Sequence, residues 1–340
     1  MSAAVHVQTN DAARNEVIAF SRSGDGALAP LGRYDTGGRG TGQPHLPSQN
    51  SLVLSEDGGW LLVANAGSDE LSLFAVDADG LRLADRVGSG GDTPTSVAIN
   101  GTLVYALNDA SATIAGFTLD GGRLVELDGA SRSLSADDAD PAQVAFSPDG
   151  RTLTVPERAT DSISSFAIDE RGYATGLATI KSAGQTPYGF DFTADGAMIV
   201  TEAFGGTLGA AAASSYAITA AGQVTPVTAS VRDTRSEVCW AAVTKDGRIA
   251  FVTNFGDGTI SSYTIGNGGS LELRDPVAAS TRLGEKGVRD EAITRDGSYL
   301  YAIDADARQV FGWSIERDGS LAAIGAFDGL PETVAGLAAS

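Results

Sequence analysis

The sequence predicts an all-β fold, a seven-bladed β-propeller of four-stranded antiparallel blades, on three observations. A tight Asp-Gly turn recurs along the chain, an apolar strand follows each copy, and an aromatic residue stands at a near-constant distance beyond that strand. The turns are Glu56-Asp57-Gly58-Gly59, Pro148-Asp149-Gly150-Arg151, Ala194-Asp195-Gly196-Ala197, Lys245-Asp246-Gly247-Arg248 and Arg295-Asp296-Gly297-Ser298, with Ile99-Asn100-Gly101-Thr102 as the Asn variant. Their glycines lie 43 to 51 residues apart, the length of one propeller blade. Asp-Gly and Asn-Gly between apolar runs close hairpins, because the tight turn needs positive φ.

Each element of the repeat follows in order. Strand b comes directly after the turn: Trp60–Ala64, Leu103–Leu107, Leu153–Val155, Met198–Thr201, Ile249–Thr253 and Tyr299–Ile303. A polar residue ends it and an aromatic follows nine residues later, in the pairs Asn65/Phe74, Asn108/Phe117, Glu157/Phe166, Asn254/Tyr263 and Asp304/Trp313. Glu202/Tyr216 fits with a five-residue insertion in 205–213. The aromatic marks strand c, and a last apolar or aromatic position marks strand d: Leu28, Leu81, Leu124, Tyr173, Val224, Leu271 and Leu321. At the start, Val5–Thr9 and Phe20 supply strands b and c with no strand a before them. The run 331–338 resembles the a strands Pro94–Ile99 and Pro141–Phe146, so it is expected to complete the first blade and remove two free edges. Residues 1–340 are therefore read as one propeller domain, since each repeat adds its own small core.

Composition narrows the function classes. A hydrophobic share of 42% against 19% charged residues fits a folded chain. The formal charge of −20 repels phosphate backbones and anionic lipid, so no nucleic-acid or membrane role is expected. No apolar run reaches membrane-spanning length. Met1-Ser2-Ala3-Ala4-Val5-His6 has no secretory pattern and Cys239 is alone, which together predict a cytoplasmic protein. A small-molecule substrate and a monomeric state are the partner expectations.

The segments 48–55, 62–70, 144–150 and 239–244, which read Ser-Gln-Asn-Ser-Leu-Val-Leu-Ser, Leu-Val-Ala-Asn-Ala-Gly-Ser-Asp-Glu, Val-Ala-Phe-Ser-Pro-Asp-Gly and Cys-Trp-Ala-Ala-Val-Thr, resemble the lactonase family of seven-bladed propellers. That family includes a bacterial 6-phosphogluconolactonase and the fungal carboxymuconate cycloisomerase. The resemblance runs nearly the whole length and implies the fold and a lactone-directed activity. Better-studied members carry histidines entering the second blade. Here the segment is Gln43-Pro44-His45-Leu46-Pro47-Ser48-Gln49-Asn50, with His45 alone, so no catalytic residue transfers by the resemblance.

Candidate site residues come from the loops at one channel mouth, where the b–c and d–a connections meet. The catalytic candidates are Glu157, Glu202, Arg158 and His45. Glu157 and Glu202 replace the Asn of other blades, and two close carboxylates would raise one pKa for acid–base work. The alternative is that such residues satisfy loop backbone donors. Substrate-binding candidates are Arg39, Gln49, Gln143, Tyr188, Arg235, Trp240, Arg289, Asp290 and Glu291. Guanidinium suits a carboxylate or an oxyanion, unless it pairs with a local acid. Glu291 stands where strand a should be apolar, so it is either paired with an arginine or functional. The glycine-rich 37–42 stretch lacks a P-loop ending, no Gly-x-Ser-x-Gly elbow occurs, and one cysteine with two dispersed histidines does not make a zinc site.

Three functions follow. The first is a lactonase, or a lactone-forming isomerase, without a cofactor, in which a glutamate moves the proton and arginines hold the substrate. The second is a divalent-cation-dependent lactonase, calcium being suited to the Asn/Asp/Glu ring. The third is a non-catalytic binding propeller.

Overall fold

The computed structural model describes residues 3–44, 46–219 and 222–340. Seven antiparallel sheets form the blades, and sheet order places the chain's last strand, Ala335–Ala339, beside Ala4–Gln8, Glu16–Arg22 and Leu28–Asp35 in the first. Val5, His6 and Val7 pair with Ala339, Ala338 and Leu337, and Ser340 N–H donates to the Ala4 carbonyl at 2.9 Å. The closure expected from the sequence is present. Its strand is shifted toward the C-terminus, because 331–334 form a turn rather than a ladder.

Blade 2 comprises Leu52–Leu54, Trp60–Asn65, Glu70–Asp77 and Gly80–Gly88. Blade 3 comprises Pro94–Asn100, Leu103–Asn108, Thr113–Asp120 and Arg123–Glu126, with Arg132–Ser133 paired to its third strand. Blade 4 runs Ala145–Phe146, Thr152–Glu157, Ser162–Ile168 and Ala174–Lys181; blade 5 runs Pro187–Phe192, Ala197–Glu202, Ala212–Ile218 and Val224–Arg232. Blade 6 has Val238–Val243, Ile249–Asn254, Thr259–Ile265 and Leu271–Ser280, and blade 7 has Val288–Ile293, Tyr299–Asp304, Gln309–Ile315 and Leu321–Asp328. The inner strands pack around one axis, with Thr152–Glu157 of blade 4 meeting Pro187–Phe192 of blade 5. The b strands are buried and the a strands mostly so, whereas the d strands are largely exposed or half-buried.

Local chemistry explains the regularity. In each Asp-Gly turn a hydroxyl three residues before the glycine donates to the turn aspartate: Ser55 to Asp57, Ser147 to Asp149, Thr193 to Asp195, Thr244 to Asp246 and Thr294 to Asp296. The glycine takes φ near +70° (Gly58, Gly150, Gly247), where a side chain would be strained. Outer strands carry Pro30, Pro226 and Pro276, which cannot donate to a further strand and so protect the exposed edge. In blade 4 the expected strand Pro141–Phe146 shrinks to Ala145–Phe146 plus an isolated Pro141–Glu157 bridge. Side chains replace the ladder there, with Val144 N–H donating to Ser96 Oγ at 3.0 Å.

The apolar core is divided among neighbouring blades. One cluster joins Val5, Phe20, Tyr301 and Leu337 across the closure, and another joins Phe251, Leu300 and Trp313 between blades 6 and 7. The aromatics that defined the repeat, among them Phe74, Phe117, Phe166, Tyr216 and Tyr263, are almost wholly buried. Each fully buried aromatic is worth a few kcal/mol of apolar transfer.

Candidate functional site: the mouth and the axial channel

The polar residue that the sequence places after strand b is its last residue, and it joins that strand to strand c. Asn65 Nδ2 donates to Ser72 Oγ at 2.8 Å, and Asn254 Nδ2 donates to Ser261 Oγ at 2.8 Å. Ser164 Oγ donates to Glu157 at 2.6 Å and Ser214 Oγ to Glu202 at 2.5 Å. The Glu202–Ser214 spacing is 12 residues against 7 for Glu157–Ser164. The difference, 12 − 7, is the five-residue insertion, which holds a short 3-10 turn at Phe204–Gly206.

Both glutamates are wholly buried, and their oxygens are filled by their own blades and by the connections arriving from the preceding ones. Glu157 also accepts from Ser135 N–H, Ser135 Oγ and Thr160 Oγ1; Glu202 accepts from Gly184 N–H and Ser230 Oγ. Burial raises the Glu202 pKa, and these donors pull it back. The structure does not bring the two together as an exposed acid–base pair, because each is consumed in holding its loops.

The residue after that polar position reaches the mouth. Arg158 is 7% exposed. It donates from Nε to the Asp140 carbonyl at 3.1 Å and from Nη1 to the Pro47 carbonyl at 2.6 Å, and it pairs with the Asp140 carboxylate. Its guanidinium lies 4.7 Å over the Tyr188 ring. Burial opposes the Arg158 charge, but Tyr188 and Asp140 outweigh it and raise the pKa. Arg289 is 6% exposed, donates to the Pro44 carbonyl, lies 5.3 Å over Phe255, and has no partner for Nε. Burial lowers its pKa, offset in part by Asp306 and Tyr188. Both guanidiniums act electrostatically on Tyr188 and Cys239.

A strap formed by the segment entering blade 2 covers this mouth. Besides the two arginine contacts, Trp240 Nε1 donates to the Ser48 carbonyl at 3.0 Å. Gln49 Nε2 donates to the Ala241 carbonyl at 2.8 Å, and Ala241 N–H donates back to Gln49 Oε1 at 3.2 Å. His45 lies outside the described residues, in the sequence between the two arginine-bound prolines. Tyr188 packs against Trp240 at 5.7 Å. Burial pushes the Cys239 thiol up to about 12, which removes it as a nucleophile near neutral pH.

Below the strap, side chains tie adjacent a strands edge to edge. Gln143 exchanges two hydrogen bonds with Phe190, from Nε2 to the carbonyl at 3.0 Å and from the N–H to Oε1 at 2.7 Å. Asp290 accepts from Leu337 N–H at 3.2 Å and from Glu291 N–H at 3.0 Å, and burial lifts its pKa to about 8. Glu291 is 3% exposed and neither carboxyl oxygen has a hydrogen-bond partner. It is not paired with an arginine. Burial, then Asp290 and Asp191, raises its pKa well above the ordinary value.

Two candidates stand elsewhere. Arg235 is half-buried and faces Asp257 at 3.9 Å. Arg39 is exposed in a separate recess with Arg14 and Arg86. Among the described residues no group of three or more His, Cys, Asp or Glu is placed to hold a metal ion.

Asp191 escaped the sequence reading. It is partly exposed on the channel wall, accepts from Val243 N–H at 2.8 Å, and burial lifts its pKa to about 6. A signal was present. Counting back two residues from the hydroxyl or Asn residue of each turn gives Val53, Ala98, Ala145, Ala242 and Ala292 in other blades, all apolar, and Asp191 here.

A family model described as lactonase, 7-bladed beta-propeller, matches residues 13–133, 127–208 and 200–334. The chain belongs to the lactonase family. Solved structures agree in fold. A proposed 6-phosphogluconolactonase from Bacteroides uniformis is 21% identical, with 98% of this chain and 99% of that one covered and a TM-score of 0.78. The periplasmic gluconolactonase PpgL of Pseudomonas aeruginosa is 18% identical, covering 100% and 99%, with a TM-score of 0.77. No curated protein matches the sequence. For this lactonase-family propeller the resemblance in segments 48–55 and 62–70 therefore extends over the three matched stretches.

Proposed function

We propose that this lactonase-family propeller hydrolyses a small, carboxylated lactone at the strap-covered mouth of its channel. The observation that carries the reading is the pair of guanidiniums, Arg158 and Arg289, more than nine-tenths buried and acting on one tyrosine. Both now spend bonds on the neutral carbonyls of Pro47 and Pro44. A substrate carboxylate or a developing oxyanion is a stronger acceptor, so binding energy is available when it replaces them.

In this reading His45, a candidate from the sequence, takes a proton from water as the water oxygen adds to the lactone carbonyl carbon. The carbonyl π pair moves to oxygen, and that oxyanion is held by a guanidinium and by the Tyr188 hydroxyl. Burial keeps the phenol protonated, and therefore a donor. Collapse of the intermediate breaks the bond to the ring oxygen, which receives the proton from His45 and yields the hydroxy acid. Glu157 acts through its neighbour, since its four hydrogen bonds fix the loop from which Arg158 projects. Glu202 holds the next blade's loop in the same manner.

The test is acid release in a pH-indicator assay over sugar δ-lactones and carboxylated γ-lactones. Turnover is expected, with KM for carboxylated substrates about tenfold or more higher in Arg289→Ala and Arg158→Ala, equivalent to about 1.4 kcal/mol each. His45→Asn is expected to lower kcat by about 10² or more. Turnover unchanged in all three variants, or no turnover on any lactone, refutes the reading.

A further inference from the structure

The channel has a second opening. A cavity of about 790 Å³ runs along the axis from Gln49, Gln143 and Glu291 to Glu56, Lys245 and Arg295 beside the Asp-Gly turns, at the end of the a strands opposite the strap. Its walls are mixed, with polar residues such as Gln143 and Thr193 beside the aromatics Phe146, Phe190 and Phe192, the last two edge to face at 5.5 Å. Its deep end is acidic. Glu291 lines the cavity with both carboxyl oxygens buried and unpartnered, and Asp191 on the same wall is partly exposed and retains acceptor capacity. Its rim is basic.

An unpartnered buried carboxyl is costly, and a cation is the ligand that would offset it. Aromatic walls favour the same charge through their π faces. The basic rim selects against a plain cation and in favour of a ligand with an anionic far end. Arg295 lies four positions beyond Glu291, past the strand end at Ile293, a reach of at most about 13 Å at 3.3 Å per residue. We propose that the axial cavity binds an amphiphilic zwitterion, with its ammonium against Glu291 and Asp191, its apolar body along the phenylalanines, and its carboxylate at Lys245 and Arg295. The site is separate from the strap-covered mouth and does not depend on lactone turnover.

Calorimetric titration with 8-aminooctanoate, octylamine, octanoate and potassium chloride tests it. Saturable binding of the zwitterion is expected, with octylamine and octanoate each about tenfold weaker or more. Glu291→Gln should weaken the zwitterion by a similar factor, and Lys245→Met with Arg295→Met should reduce it to the level of octylamine. Affinity should rise from pH 6 to pH 8, since the bound state needs an ionised Glu291. The groups facing it are Asp191 and Asp290 close by, and Glu56, Lys245 and Arg295 at the rim. The proposal is overturned by octanoate binding as tightly as the zwitterion, by Glu291→Gln binding unchanged, by potassium alone occupying the Glu291 site, or by no binding at millimolar concentration.

Discussion

Replacing Glu291 by Gln should make the protein more stable above neutral pH, and the pH dependence isolates the reason. A carboxyl whose folded pKa is raised keeps its proton in the native state while the unfolded chain has lost it, so stability falls as pH rises between the two pKa values. Acids raised by burial behave this way, among them Asp191 and Asp233, lifted to about 6, Asp290, lifted to about 8, Glu291, lifted well above its ordinary value, and Glu202. His6 acts with the opposite slope. Burial lowers its pKa from 6.5 to about 4, so it removes stability as pH falls through that window. Between pH 7 and 8 His6 is mostly neutral in both states, and Asp191 and Asp233 are mostly ionised in both. The Asp290–Glu291 pair, raised furthest, still retains protons on folding.

One retained proton is a slope of about 1.4 kcal/mol per pH unit, so the wild type should lose about 1.4 kcal/mol or more over that interval. Gln in place of Glu291 removes one of the two sources and, with no hydrogen bond to lose, should flatten the slope. Urea midpoints at pH 6.5, 7 and 8 measure both chains. Parallel lines, or a wild type that gains stability toward pH 8, would refute the argument that Glu291 is folded as a neutral acid.

Three further outcomes are expected. Glu157→Ala strands four donors, so it should cost about 2–4 kcal/mol in urea unfolding, with Glu157→Gln costing less because the amide oxygen still accepts. Cys239, with its thiol pushed up to about 12, should resist a disulfide reagent in the native protein at pH 8 and react once the chain is unfolded in urea. Removing residues 335–340 exposes the free edges of Ala4–Gln8 and opens the ring, so size-exclusion chromatography should show dimers or aggregates in place of the wild-type peak.

The fold was legible because its signals are local. Asp-Gly turns, the polar end of strand b and the aromatic of strand c recur at fixed spacing, and each reflects chemistry that every blade repeats. The same locality misdirects the search for a site. Glu157 and Glu202 look exceptional beside Asn65 and Asn108, yet the serine two residues before each aromatic, Ser164 or Ser214, shows what they bind. Arg158, Tyr188, Trp240 and Arg289 were identifiable singly by type and register. That a strap from blade 2 would bridge them was not, because carbonyls of Pro44, Pro47 and Ser48 carry no side-chain signature. Asp191 could be found only by lining up the apolar residues across blades, since its own segment reads as an ordinary strand.

The pairing of Ala335–Ala339 with Ala4–Gln8 also sets an order of events at the ribosome. The strand that completes blade 1 leaves the exit tunnel last, after blades 2 to 7 have been made. At roughly 5–20 residues per second, the three early strands wait on the order of 15–65 s for their fourth partner. Through that interval the inner edge of Ala4–Gln8 lacks its strand partner, and Val5 and Val7 lack the cover of Leu337 and Tyr301. Blade 1, first in sequence, is therefore the last to reach its native sheet, and it is where a chaperone would be needed during synthesis.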